Sequence, residues 1–228
     1  MRILKLTNIE FAYSNKKENT LNISSFELAQ AEKVFLFGPS GYGKTTFLEL
    51  LAGVLIPQKG EYRFLDYFMS DLSDRARDAV RAAHIGYIFQ SFNLIPYLNV
   101  RDNILLPLYL SSIKRSKLST SDENNHVMDL CSYLGIEKYL ESKVIELSVG
   151  QQQRVAMARA FIGQPELILA DEPTSALDQN YREKFIELLF KVCEKNKTSV
   201  LFVSHDQTLK NQFDRTVSFI ELNSQERL

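Results

Sequence analysis

The stretch GPSGYGKTT, residues 38–46, constrains the fold more than any other part of the chain. It follows the short apolar run KVFLFG and passes into KTTFLELLAG, which reads as a helix closed by Gly53. A strand that ends in a glycine-rich turn and enters a helix aims backbone N–H groups and a helix N-terminus at one spot, which suits phosphate. The spacing G-x-x-x-x-G-K-T adds Lys44, placed to reach β- and γ-phosphates, and the Thr45 hydroxyl, suited to Mg²⁺.

The rest of the chain supplies the setting this turn needs. Residues 2–13 and 22–29 read as two strands joined by the polar turn SNKKENT. GEYRFLDY reads as a further strand, and DLSDRARDAVRAAH as a capped amphipathic helix before a strand at 85–89. From about 91 to 146 the pattern is helical. NVRDNILLPLYL and NNHVMDLCSYLGI read as helices, and the polar SSIKRSKLSTSDE between them as a mobile loop. Alternation then returns: QQQRVAMARAFI is a helix, LILAD a strand, 178–195 a helix, SVLFVSH a strand and TVSFIEL a last strand. Strands alternating with helices predict an α/β fold with a mostly parallel sheet and ligands at the strand C-termini. The length of 228 residues suits one such domain, with the helical segment, about 91–163, inserted within it.

Composition narrows the function. A net charge of −1 gives no basic field for nucleic acid, so none is expected as a partner. The two cysteines, Cys131 and Cys193, have no metal-ligand spacing and read as buried free thiols of a reducing compartment. No secretory signal is visible, and no apolar run approaches the roughly 18 residues of a membrane span. A soluble, cytoplasmic protein is expected, with any membrane role supplied by a partner.

LILADEP, 167–173, is an apolar strand ending in two carboxylates. Asp171 is placed to hold Mg²⁺ through water. Glu172 is placed to orient or deprotonate the water that attacks the γ-phosphate.

Together with LSVGQQQR (147–154), SALD (175–178), VSHD (203–206) and YIFQ (87–90), these motifs resemble the ATPase subunits of ABC transporters over nearly the whole chain. The resemblance implies a P-loop ATPase with an N-terminal antiparallel β subdomain and an inserted α-helical one. It implies that Gly38, Pro39, Ser40, Gly41, Tyr42, Gly43, Lys44, Thr45 and Thr46 bind ATP. Tyr13 would stack on adenine, unless it is a strand-packing aromatic. Two subunits would pack head to tail, with Ser148, Gly150 and Gln151 of one reaching the nucleotide of the other, and Asp178 would belong to the same site. His205 would contact the γ-phosphate. Gln90 would serve both catalysis and Mg²⁺, alongside Thr45 and Asp171.

Three residues depart from the family pattern. Tyr42 stands where a small residue is usual, and its side chain can point outward. Ala31 replaces a turn glycine, with little consequence expected. Val149 replaces the first glycine of the signature. It keeps an N–H donor but would be strained at φ > 0.

GYIFQSFNLIPYLNVRDNILLPL is similar to the subfamily of macrolide export, lipoprotein release and related cell-envelope work. There the region after Gln90 receives an integral membrane subunit. Phe92, Leu94, Ile95 and Tyr97 would form the socket as exposed side chains, or else belong to the helical core. Polar amino-acid importers look alike in this stretch, so a small-solute importer is the alternative. The end of the chain soon after its last strand favours the envelope type over importers with C-terminal regulatory domains. Soluble ABC ATPases of DNA repair carry long coiled coils, and ribosomal ones carry paired domains. Neither pattern is present. Only Val149 would argue for a binding-only, gating subunit.

Overall fold

The computed structural model describes residues 1–14, 19–117, 123–175 and 177–224. The middle of the SNKKENT turn, the centre of the lysine- and serine-rich loop (118–122) and Ala176 of SALD lie outside the described residues. The chain forms two compact units, Met1–Arg81 with Ser199–Leu228, and Ala82–Thr198.

The first unit carries an antiparallel sheet in the order β2-β1-β4-β5: β1 (Arg2–Phe11), β2 (Leu21–Ala29), β4 (Lys59–Phe64) and β5 (Tyr67–Phe68). Leu6 of β1 lies opposite Phe26 on one side and Tyr62 on the other, and all three are buried. The single strand expected over 60–67 is a hairpin, because Leu65 at φ 52 reverses the chain between β4 and β5. The same unit holds a parallel set in which β3 (Lys33–Phe37) lies between β8 (Ser199–Val203) and β9 (Arg215–Ser218). Every residue of β8 is buried, as suits a strand covered on both faces. α1 (Lys44–Leu51) buries Phe47, Leu48, Leu50 and Leu51, and Phe47 packs edge-on against Phe26 at 5.3 Å. The expected last strand, 216–222, stops at Ser218 and continues as the short helix α8 (Phe219–Leu222). The fully buried Phe219 packs against Phe47 there, at 5.7 Å.

Ala31 takes φ 60, so replacing the turn glycine has a consequence that was not expected. The left-handed conformation costs an L-residue about 1–2 kcal/mol. The turn is held by Ser199, whose hydroxyl accepts from Ala31 N–H at 2.8 Å and donates to Ala29 C=O at 2.9 Å.

Most of α2 (Asp74–His84) belongs to the first unit, and its end leads into β6 (Ile85–Ile88) of the second, which pairs in parallel with β7 (Leu167–Asp171). Helices α3 (Val100–Leu110), α4 (Ser112–Ser116), α5 (Glu123–Leu134), α6 (Val149–Phe161) and α7 (Gln179–Asn196) complete the unit. α6 packs against α3, α5 and β6. Gly86 of β6 permits this approach: a Cβ there would lie 2.2 Å from Ala160 C=O. Cys131 and Cys193 are buried and outside any disulfide, as expected, and burial pushes the Cys131 thiol up to about 12.

The polar loop expected from 111 to 123 contains α4. Ser111 caps this helix by accepting from Lys114 N–H at 3.2 Å. Lys114 is only 3% exposed, and its ammonium donates to Ile85 C=O at 3.1 Å. A mobile polar loop was expected here, but the Lys114 stem packs over Gly163. Nearby, Glu166 accepts from Lys117 at 3.0 Å and pairs with His84 Nδ1 at 2.9 Å.

Burial, and secondarily the Lys117 charge, lower the Lys114 pKa from 10.5 to about 8, while Glu166 opposes the shift. Between these two values the unfolded chain holds a proton that the folded protein has released, so stability rises with pH across that window. Wild type should therefore gain on Lys114→Met by up to about 3 kcal/mol between pH 7 and 10. Urea unfolding of both proteins along a pH series checks this, and a flat difference would contradict it.

Candidate nucleotide-binding site

In the first unit the glycine-rich turn follows β3 and His205 follows β8. Leu36 lies opposite Val203 in the parallel register, so both segments leave the same ends of adjacent strands. Gly41 at φ 80 and Gly43 at φ 98 make the turn, and both conformations suit glycine. Tyr42 between them is not left-handed, so the turn accepts a side chain there. Pro39, Ser40 and Gly41 are exposed, Gly38 and Tyr42 half-buried. Lys44 is 6% exposed, and its ammonium donates to the Gly38 and Pro39 carbonyls, each at 2.8 Å. These bonds hold the ammonium within the cradle that the turn forms. Thr45 is exposed and Thr46 buried.

Tyr13 is half-buried and sits edge-on to Phe11 at 5.1 Å. Its hydroxyl is 3.1 Å from Thr46 Oγ1 and donates to Glu49 at 3.5 Å. The ring is thereby anchored to α1 beside the turn. His205 is exposed two residues beyond β8, where Ser204 N–H donates to Leu36 C=O at 3.1 Å.

The second unit repeats the strand-end arrangement. Ile88 of β6 lies opposite Ala170 of β7, so exposed Gln90 and half-buried Asp171 and Glu172 emerge at the same edge. Glu172 takes φ 44, a left-handed conformation uncommon for a residue other than glycine. Asp178 caps α7 by accepting from Tyr181 N–H at 3.1 Å.

LSVGQ forms the start of α6. Ser148 is its N-cap, accepting from Gln151 N–H at 3.4 Å, while Gln151 Oε1 accepts from Ser148 N–H at 2.8 Å. This reciprocal capping box takes two backbone donors and leaves the Ser148 hydroxyl proton available. Val149 and Gly150, in the first turn, have N–H groups with no partner inside the helix. Val149 is helical and 50% exposed, so the strain feared for a valine at φ > 0 is absent. A Cβ added at Gly150 would meet nothing within 4 Å, which leaves open space over the turn.

Sequence reasoning missed the residues that hold these loops. Gln153, 3% exposed, donates to Pro173 C=O at 2.7 Å, fixing the segment after Glu172. Arg159 donates to the carbonyls of Phe92 and Asn93, which take φ 60 and 47. Asn103, fully buried, bonds Ile95 N–H at 2.8 Å and Ile95 C=O at 3.1 Å. The capping-box spacing S-x-x-Q was readable; the other three carry no sequence signal. Phe92 is buried at 8%, a correction to its expected exposure: its carbonyl is held by Arg159 and its ring turns inward. Leu94 and Ile95 are half-buried and Tyr97 is 78% exposed. No described helix is long and apolar enough to cross a membrane.

A family model for ABC transporters matches residues 21–175. The chain is 38% identical to the ABC transporter ATP-binding protein YbbA of Escherichia coli (strain K12), over 86% of this chain and 84% of that one. It is 34% identical to the lipoprotein-releasing system ATP-binding protein LolD of Psychrobacter arcticus, over 93% of each. A solved dimeric structure of the ATP-binding cassette MJ0796 of Methanocaldococcus jannaschii, bound to ADP and Pi in a post-hydrolysis state, superposes with a TM-score of 0.82. That structure is 34% identical and covers 94% of this chain, with 93% of its own length matched. With the glycine-rich turn, the LSVGQ helix start and these relatives in agreement, the chain belongs to the ABC transporter family, as an ATP-binding, ATP-hydrolysing subunit.

Proposed function

We propose that two copies close head to tail around ATP and drive an integral membrane subunit of the cell-envelope type, from its cytoplasmic face. The observation that carries this reading is the open first turn of α6. Ser148 offers a hydroxyl proton, Val149 and Gly150 offer N–H groups, and the space over Gly150 is empty. A helix N-terminus in that condition is built for an anion. The dimeric, ADP- and Pi-bound relative supports a nucleotide as that anion, and the likeness to LolD supports the envelope type.

In this reading residues 1–228 form one ATPase domain, with 91–163 as its helical insertion. Residues 38–46 cradle the phosphates of the subunit's own ATP, and Tyr13 supports adenine. Ser148, Gly150 and Gln151 complete the γ-phosphate site of the partner's nucleotide, with Asp178 beside them. Glu172 takes the proton of the attacking water, and His205 stabilises charge on the γ-phosphate in the transition state. Thr45, Gln90 and Asp171 offer the hard oxygen donors that suit Mg²⁺, which when bound neutralises phosphate charge. Leu94, Ile95 and Tyr97 face the membrane subunit, and Phe92 is core.

Lys44→Ala should weaken ATP binding and abolish turnover. Glu172→Gln should keep ATP, lose hydrolysis and run as a dimer in size-exclusion chromatography with ATP. A variant that stays monomeric under saturating ATP would count against the closed dimer.

Val149→Gly should change the maximal ATPase rate by less than about tenfold, or about 1.4 kcal/mol. It should lower stability by about 0.5 kcal/mol, because glycine frees the unfolded chain. An inactive wild type restored by Val149→Gly would show instead that the valine silences the site.

Tyr97→Glu should abolish co-purification with the membrane subunit while the thermal midpoint of the isolated protein holds. Phe92→Glu should lower that midpoint sharply. Retained co-purification in Tyr97→Glu would remove this surface from the interface.

A further inference from the structure

A cleft of about 240 Å³ opens in the second unit between the turn after α5, the start of α6 and the first half of α7. Ser148 and Gly150 lie on its wall, and so do three cations, Lys138, Arg154 and Lys184. Among the described residues no carboxylate lines it, and none of the three cations forms an ion pair. Arg154 is fixed by donating to Leu134 C=O at 2.9 Å. The Lys138 ammonium lies 5.1 Å from the centre of the Tyr139 ring, and that of Lys184 lies 5.8 Å from Tyr181. Aromatic faces hold a cation without neutralising it. Three like charges beside a helix N-terminus repel one another, and an anion relieves that repulsion.

We propose that this cleft is a phosphate-chain site, in which Lys138, Arg154 and Lys184 engage the polyphosphate of the nucleotide carried by a second copy of the chain. This rests on the head-to-tail reading and adds cationic side chains to the donors of the LSVGQ turn. The size favours a shared ligand. About 240 Å³ is below the roughly 300–1,000 Å³ of pockets that enclose a small molecule by themselves. The cleft therefore suits one part of a ligand whose remainder is held elsewhere. Lys138 and Lys184 are exposed, so their removal tests binding without emptying a core.

The test uses the Glu172→Gln protein with ATP and measures the dimer dissociation constant by analytical ultracentrifugation. Adding Lys138→Gln and Lys184→Gln should weaken the dimer at least tenfold, and Lys138→Glu with Lys184→Glu should weaken it further. ATP titrated into dilute monomers reads the glycine-rich turn alone and should show no matching loss. Unchanged dimerisation in both double variants would overturn the proposal and leave the closed dimer standing. A parent protein that never dimerises would sink the closed dimer and this use of the cleft with it. Inorganic tripolyphosphate, titrated into Lys44→Ala protein, covers a free anion as the occupant. Tight binding there that is lost in the double variants would assign the cleft to a free anion and overturn the shared nucleotide.

Discussion

Helix α6 organises the second unit through donors that reach loop carbonyls. Gln153 holds Pro173, Arg154 holds Leu134, and Arg159 holds Phe92 and Asn93. These carbonyls belong to irregular backbone or, at Leu134, to the end of α5, and otherwise need water or a ligand to satisfy them. Leaving such a buried group unpaired costs about 1–3 kcal/mol. One helix therefore sets the paths of the chain after Glu172, after α5 and after Gln90. Its own first turn carries the LSVGQ donors. The positions of the signature and of the carboxylate loop are consequently set by the same rigid element.

Left-handed backbone is not confined to the site, since Asn8, Leu65, Gln164 and Lys197 also adopt it. Glu172, Phe92 and Asn93 adopt left-handed conformations beside the segments assigned to chemistry and to the membrane subunit. Such residues persist where surrounding bonds over-determine them, and Arg159 supplies two of those bonds at Phe92 and Asn93. The glycine replacements follow the same logic. Val149 occupies an ordinary helical position, where a side chain is tolerated, whereas Ala31 occupies a left-handed one and depends on the Ser199 hydroxyl. A departure from a glycine pattern thus has no fixed meaning. The φ angle at the position decides its cost.

Much of the fold and the site was legible because the signals were local. The strand–turn–helix of 33–51, the apolar LILAD run and the QQQRVAMARAFI helix each depend on residues a few positions apart. Their physics lies in periodicity, glycine geometry and helix-end satisfaction, all written along the chain. Errors fell where a distant partner overrides local preference. SSIKRS reads as loop from its composition, yet it folds as α4 because Lys114 finds the Ile85 carbonyl and Gly163 leaves room for its stem. FIEL reads as strand, yet it turns helical as Phe219 enters the core beside Phe47.

The sequence alone determined the chemistry on offer: a glycine-rich turn with Lys44, a pair of carboxylates at a strand end, a histidine after another, and a helix start bearing Ser148. Spacing fixes these because each motif closes on itself within a turn or two. Tertiary structure decided the conformation at Val149, the burial of Phe92, the loop-holding roles of Gln153, Arg159 and Asn103, and the convergence of Lys138, Arg154 and Lys184 on one cleft. Several of those outcomes depend on contacts between residues distant in sequence, 20 positions for Gln153 and Pro173 and 67 for Arg159 and Phe92. Burial and hydrogen-bond satisfaction are settled only when such segments meet.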